Sequence, residues 1–393
     1  MNYILFDDSR RESLLPLTFI RPIADIRIGI LTIREKWERF LGVRTSTLTE
    51  EYLSKKYPVV REDNNVLINS SVLPDRKLVE RILALKPNQA LVQQDCIIAM
   101  HLTGEEIDNV QEAECEEIDY DECFLSIRNT WDLFSVNDPA IRADYDLITR
   151  GRKSIEVDGT NTLIHKENIF IEAGARIGCS VLNASDGPVY IGKEAEIMEG
   201  CLIRGPFAMC EHSVLKMGTR VYGPSTLGFY SKAGGEIDHS IIFSYSNKAH
   251  DGYLGHAVIG EWCNLGAATN NSNLKNTYEQ VRIWSYPEES FVETGLQFCG
   301  LIMGDYTKTG IGTMFNTGTV VGVNTNIYGH GLQRNFIPSF SWGGTSGFKE
   351  YKINEAITVA RRMHQRRGLE FTDIDQDILQ TVFNLSYRYK KVY

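Results

Sequence analysis

No stretch of the 393 residues approaches the roughly 18 consecutive apolar residues needed to cross a bilayer, so no membrane role is expected. The opening MNYILFDDSRRES meets acid and base after only a few apolar residues. That is the wrong shape for a secretory signal, and a cytoplasmic location is the expectation. The eight cysteines (Cys96, Cys115, Cys123, Cys179, Cys201, Cys210, Cys263 and Cys299) include no CxxC pair. They suggest neither a cysteine zinc site nor a disulfide framework, and read as reduced thiols that mostly pack. Basic excess is missing as well: 41 Lys and Arg stand against 51 Asp and Glu, a net charge of -10. This argues against a nucleic-acid partner, while a local basic pocket for a phosphorylated small molecule stays open.

What is present is an ordinary globular composition, 42% hydrophobic and 23% charged, in a chain long enough for two or three structural units. Residues 1 to 150 mix short apolar runs with helical spacing. YILF and NVLIN read as buried strands, and DIRIGILTIREKWERFLG and PDRKLVERILALKP read as helices. Alternating strands and helices predict an α/β domain with a largely parallel sheet.

From 155 to 345 the pattern changes. Ile191, Ile197, Ile203, Met209, Leu215, Val221 and Leu227 follow one another at a spacing of six. Neither a helix nor an alternating strand has that period. A parallel β-helix does: each side of a three-sided coil is one short strand and its corner, with one aliphatic residue pointing to the axis. The rhythm is read as resuming at Tyr253, Ile259, Leu265 and Asn271, and again at Ile311, Thr317, Val323 and Gly329, with loops leaving the prism between the runs. Residues 346 to 393 regain helical spacing and form a helical tail. Ile353, Ile357 and Ala360 are placed on one face, and Leu379, Val382, Phe383 and Tyr387 on another. The basic run ARRMHQRR within it is either a solvated face or a contact for an anionic ligand.

Between Leu227 and Tyr253 the six-residue rhythm lapses, and SNKAHDGYLGHAVIG (246–260) brings two histidines, a lysine and a tyrosine into the gap. Coils of a β-helix pack only on their neighbours, so function collects in such interruptions. The longer segment NKAHDGYLGHAVIGEWCNLGAATNNSNLK resembles the acetyltransferase signature of the bifunctional sugar-1-phosphate nucleotidyltransferase and amino-sugar acetyltransferase family, over nearly thirty residues without a gap. The resemblance implies a left-handed parallel β-helix built from hexapeptide repeats, acetyl-CoA as co-substrate and a homotrimer with the acyl-CoA site between subunits. By position it implies His250 as general base, Lys248, Tyr253 and Asn264 as substrate contacts, and Gly266, Ala267 and Asn273 as acetyl-CoA contacts. A base is needed because an amine attacking a thioester must shed a proton, and a neutral imidazole near pH 7 can take it. A backbone N–H near Gly266 and Ala267 is the candidate donor to the oxyanion. No metal ligand set is read in this region.

The match has departures. GPFAMCEHS puts Cys210, Glu211 and His212 where the family carries phosphate-binding arginines, and Asp238 stands in place of a phosphate-binding lysine; Lys216, Arg220, Lys232 and Lys248 lie nearby in sequence. His256 replaces an aspartate and is read as a polar corner residue.

LLPLTFIRP (14–22) resembles the second half of the sugar nucleotidyltransferase signature, and NTWDLFSVN (129–137) its closing segment. The first region is therefore expected to be a Rossmann-like nucleotidyltransferase domain. Its phosphate loop has become DDSRRES, with no glycine, and Ile23 stands at the lysine position. Arg10, Arg11 and Arg21 either hold phosphate through their side chains or are ordinary ion-paired arginines. VLINSSVLPD offers Ser70 and Ser71 where the family's metal-binding aspartate is found. Mg2+ is expected only if nucleotidyl transfer survives.

Three functions fit these residues. The first is an acetyl-CoA-dependent N-acyltransferase acting on an amino-sugar phosphate or nucleotide sugar. The second is a sugar-1-phosphate nucleotidyltransferase of altered motif. The third is a non-catalytic trimeric scaffold that binds a sugar nucleotide.

Overall fold

The computed structural model describes residues 1–104, 106–110 and 113–392. The chain divides into two compact units, one made of 1–14, 20–26 and 31–129, the other of 15–19, 27–30 and 130–393.

The first unit is built on six strands, β1 (Asn2–Phe6), β2 (Ser46–Leu48), β3 (Asn64–Asn69), β4 (Gln89–Gln93), β5 (Cys96–Thr103) and β6 (Glu116–Asp119), in the spatial order β2-β1-β3-β5-β4-β6. YILF and NVLIN are β1 and β3, and they pair in parallel. The sheet is nevertheless mixed, because β5 runs antiparallel to both β3 and β4. Only Gln94 and Asp95 separate β4 from β5, with Gln94 at φ 53, and so short a connection can only make a hairpin.

The expected helix beginning at Asp25 forms only in its second half, Ile33–Leu41. Thr32 caps it through the Glu35 amide, Glu35 bonds back to Thr32, and Gly42 closes it at φ 72. Ahead of that cap, Arg27–Ile30 belongs to the second unit. There the Gly29 N–H donates to Asn137 Oδ1 and the Ile30 N–H to Asp144 Oδ2, both at 2.8 Å. Side chains of the helix Asn137–Thr149 thus take donors that a helix would have used internally.

Most of the second unit is the expected left-handed parallel β-helix, whose three faces are sheets of nine, ten and six strands. The seven residues at six-residue spacing all turn inward. Ile191, Met209 and Leu227 stack on the first face, Ile197 and Leu215 on the second, and Ile203 and Val221 on the third, each no more than 2% exposed. Because each coil contributes one such residue to each column, the columns form a single continuous core.

Ile259, Leu265 and Asn271 face inward as read, but the phase read at Tyr253 and from Ile311 onward needs correction. Leu254, not Tyr253, pairs with Ile237 and faces inward. In the last coils Thr309, Phe315, Val321 and Ile327 occupy the inward positions, whereas Ile311 is 82% exposed. The reason is coil length. Met209 follows its partner Ile191 by eighteen residues, but Ile242 follows Leu227 by fifteen and Ile259 follows Ile242 by seventeen. A fixed six-residue count loses register once a corner is shortened.

At the corner between the first and second faces, His212, Tyr230, Tyr245, Trp262 and Tyr306 all hold φ between 54 and 62. This left-handed conformation is uncommon for aromatic residues. It directs each ring over the next: Tyr230 on His212 at 4.5 Å and Trp262 on Tyr245 at 4.3 Å. The tail helices Ile353–Arg366 and Asp373–Ser386 bury Ile357, Ala360, Leu379 and Val382, as their spacing predicts. Within ARRMHQRR, His364 is buried, stacks on Trp262 at 4.2 Å and hydrogen-bonds the Tyr306 hydroxyl at 2.9 Å. Tyr387 is 56% exposed.

Candidate active site

His250 lies at the corner between the strands Asn247–Lys248 and Tyr253–Gly255. It is exposed, and its ring has no hydrogen-bond partner among the described residues. The corner beneath the ring is tightly made. Lys248 pairs in register with Ala233, so it occupies an inward column and is 2% exposed. Its ammonium donates to the Gly234 carbonyl at 2.9 Å and to the His250 carbonyl at 2.7 Å. Burial pushes its pKa down to about 8, against the pull of Asp251. Lys248 is therefore a clamp on the backbone of His250, set behind the corner.

Two residues on, Gly252 has φ 127, and a Cβ there would lie 2.2 Å from the Thr269 carbonyl oxygen. Only glycine lets this corner close on the next one. That next corner carries Gly266 and Ala267, joined to the first by the Ala268 N–H donating to Asp251 O at 3.0 Å. The Gly266 N–H is itself committed to Thr309. Of the two amides considered for an oxyanion, that of Ala267 is the one with no acceptor among the described residues. Asn264 is exposed on the adjoining face, in register with Asn247 and Lys308.

The structure brings Tyr253 and Asn273 together. Asn273 Nδ2 donates to Tyr253 Oη at 2.8 Å, and Tyr253 Oη lies 3.4 Å from Asp238 Oδ2. Burial first, and then the Asp238 charge, raise the tyrosine pKa. The ring has room because Gly255 has no Cβ, which would stand 2.2 Å from the hydroxyl. Sequence reasoning missed how this pair is held. Asn270 Oδ1 accepts the Tyr253 N–H at 2.7 Å, and the Asn271 amide pairs with both the N–H and the carbonyl of Gly255. Two side-chain amides thus replace the strand ladder at this point. The consecutive asparagines in ATNNSN are the only trace of that in the sequence.

It also missed His239. Its Nδ1 lies 2.6 Å from Asp238 Oδ1, and its ring stacks on that of His256, 4.6 Å away and 4° from parallel. Asn273 Nδ2 reaches His256 Nδ1 at 3.0 Å. Burial and the neighbouring His239 push the His256 pKa down to about 4, so the ring is neutral near pH 7. Both histidines line a cleft of about 340 Å³ with Phe134, Pro224, Gln297 and Phe298.

The remaining candidates lie elsewhere. Cys210 is buried, and Glu211 and His212 sit 3.4 Å apart. Arg220 is paired with Glu236 at 3.4 Å. In the first unit, Arg11 and Arg21 are 5% and 3% exposed, and Arg11 donates to Tyr52 Oη and to the Arg21 carbonyl. Arg10 is held by Asp8, Ser71 and Cys96. Ser70 and Ser71 are fully buried, Ser71 donating to Asn69 Oδ1. With Asp8 taken by Arg10 and Asn69, these residues do not form a magnesium site.

Residues 3–153 match the family model described as sugar nucleotidyl transferase. Among curated proteins the chain is 33% identical over 127 residues to the bifunctional protein GlmU of Methanococcus aeolicus, covering 32% of this chain and 28% of that one. It is 27% identical over 218 residues to the bifunctional sugar-1-phosphate nucleotidylyltransferase/acetyltransferase of Sulfurisphaera tokodaii, covering 54% and 46%. The aligned stretches thus span between about a quarter and a half of these relatives. Among solved structures, the Arabidopsis UDP-N-acetylglucosamine acyltransferase aligns at 13% identity with a TM-score of 0.28, covering 60% of this chain and 92% of that one. No helix among the described residues is long and apolar enough to cross a membrane.

Proposed function

We propose that the chain is an acetyl-CoA-dependent N-acyltransferase acting in the cytoplasm on the amine of an amino-sugar phosphate or nucleotide sugar, with His250 as general base. The observation that carries this reading is the corner itself: an exposed imidazole on a backbone clamped by Lys248, stacked directly on the small Gly266–Ala267 corner. The acceptor nitrogen attacks the thioester carbon and a C–N bond forms. Its proton passes to His250, the C–S bond breaks, and the imidazolium returns the proton to the departing CoA thiolate. The Ala267 N–H, which has no acceptor among the described residues, is assigned to the oxyanion. Tyr253, fixed by Asn270 and Asn273, is assigned to the sugar, as is the exposed Asn264, and Asn273 also to acetyl-CoA.

Met217, His250, Ala267 and Ile311 occupy the same place in four coils, two residues past the inward residue, and Met217 and Ile311 are 69% and 82% exposed. Exposed apolar side chains flanking a polar centre favour coverage by a second copy. We assign that surface to a homotrimer, and solution mass measurement tests it. Incubation with acetyl-CoA and a panel of amino sugars, following thiol release, tests the reaction; turnover of none of them by the intact chain overturns it.

The family match over residues 3–153 supports a second activity there, joining a sugar 1-phosphate to a nucleoside triphosphate. Release of pyrophosphate from that mixture tests it. The arginine and serine arrangement described above favours a domain that binds without turnover.

A further inference from the structure

A second group of reactive side chains lies on the face next to the His250 corner. Asp238 ends the strand Glu236–Asp238, His239 follows it, and His256 follows the register-paired strand Tyr253–Gly255 one coil away. One ligand atom from each of the three lies within 4.8 Å of the other two. Both histidines adopt the left-handed conformation, at φ 43 and 45, so successive corners present their rings in the same direction. Two imidazoles and one carboxylate are the donor set of a borderline divalent metal, whereas magnesium and calcium prefer oxygen alone.

We propose that Asp238, His239 and His256 bind a divalent transition-metal ion of the zinc class, with its remaining coordination position facing the cleft walled by Phe134 and Phe298. Supporting groups are already present. Asn273 meets His256 Nδ1 at 3.0 Å and Tyr253 Oη at 2.8 Å. With the oxygen and nitrogen of that amide exchanged, its oxygen accepts from both the Nδ1–H and the tyrosine hydroxyl, which leaves His256 Nε2 bare for a metal. Orientation of a ligand ring through its other nitrogen is the usual outer-shell arrangement.

Zinc bonds of about 2.0–2.1 Å place tetrahedral ligand atoms roughly 3.3 Å apart, so on binding the Asp238–His239 contact at 2.6 Å opens slightly while the widest separation, within 4.8 Å, closes. The parallel rings must also tilt, and the His239 side chain, 39% exposed, has the freedom to do so. An ion with three protein ligands keeps a position for water or a substrate oxygen, and the cleft of about 340 Å³ lies on that side. The site shares no ligand with the proposed role of His250 and stands whether or not acyl transfer is found.

The test uses the full-length chain, tag-free and stripped with chelator, titrated with Co2+ and read by visible absorption, with zinc content measured by elemental mass spectrometry. The expected result is one equivalent of cobalt showing the d–d bands of a low-coordinate ion, no thiolate-to-cobalt band, and displacement by zinc. Asparagine tolerates a left-handed corner. His239→Asn and His256→Asn are therefore each expected to weaken binding at least tenfold, with the double variant losing it and His330→Asn behaving as wild type. Metal-free melting shows whether each variant is folded. If His256→Asn melts early, the more exposed His239→Asn carries the comparison. Uptake by wild type no greater than by the double variant, or single variants that bind as wild type, overturns the proposal.

Discussion

The ammonium of Lys248 donates to the carbonyl oxygen of His250 at 2.7 Å from inside the prism. The lysine stands between Ala233 and Leu265 in its column, where an apolar residue would pack without desolvating a charge. Lys248→Met keeps the length and removes the hook. Stability is expected to hold or rise, because replacing a buried charge by an apolar side chain of similar volume is often neutral or favourable. The rate of thiol release should fall, as the His250 corner loses its anchor. Urea melts and thiol release measured on the same preparation check the pair of outcomes, and equal activity in both proteins removes the clamp from the mechanism.

The same lysine predicts a pH dependence. Its pKa is depressed to about 8 in the folded chain from 10.5, so between these values the unfolded state holds more protons and stability rises with pH. The difference is fully recovered above pH 10.5 and lost as pH falls through 8, by at most about 3 kcal/mol. Lys308, also lowered to about 8 by burial, contributes in the same window. Lys248→Met should therefore reduce the slope without abolishing it, as denaturant melts at pH 7.5 and 10 would show.

His250→Ala is expected to lower turnover by about 100-fold to 10,000-fold, the usual contribution of a positioned base. The melting temperature should be unchanged, since the ring touches no other described residue by hydrogen bond. Full activity in the folded variant would assign the base elsewhere.

Tyr253→Phe deletes the hydroxyl that receives Asn273 and faces Asp238. If Tyr253 contacts the sugar, KM for the acceptor should rise while KM for acetyl-CoA stays constant. A matching rise in both constants would indicate that the tyrosine only holds the corner together.

In the first unit, Asp7 accepts from the Ile23 N–H at 3.0 Å and from Thr49 at 2.6 Å. Burial, the largest influence, nonetheless pushes its pKa up to about 6 from 3.8. The folded chain then binds the proton more tightly, so stability is greatest below pH 3.8 and declines as pH rises through 6. Asp7→Asn removes that decline. At pH 7 it should gain less than about 3 kcal/mol, because Arg11, 4.0 Å away, loses one of its counter-charges, Glu50 at 3.7 Å remaining. Denaturant unfolding at pH 4 and 7 checks the sign.

The fold was legible wherever a rule repeats. Ile191 to Leu227 announce three faces because each face must bury one side chain per coil. The phase slips between Ala233 and Ile237, where a corner is shortened without leaving a local mark in the sequence. Lys248 illustrates a second limit. A motif reading treats a lysine beside a histidine as a ligand, and only the register with Ala233 shows that it points inward. His239 escaped the sequence reading because its meeting with His256 depends on a coil of seventeen residues, a length fixed by the folded corners. The mixed sheet of the first unit escaped notice for a similar reason, since two parallel strands and a tight hairpin are equally apolar in sequence.

The ring column along the β-helix has a practical use. Trp262 lies between Tyr245 at 4.3 Å and His364 at 4.2 Å, the latter carried by the first helix of the tail. Its emission is thus a built-in optical gauge: undocking of that helix removes one side of the sandwich and admits solvent to the indole, so the seating of the tail can be followed without any added dye by comparison with a Trp262→Phe chain.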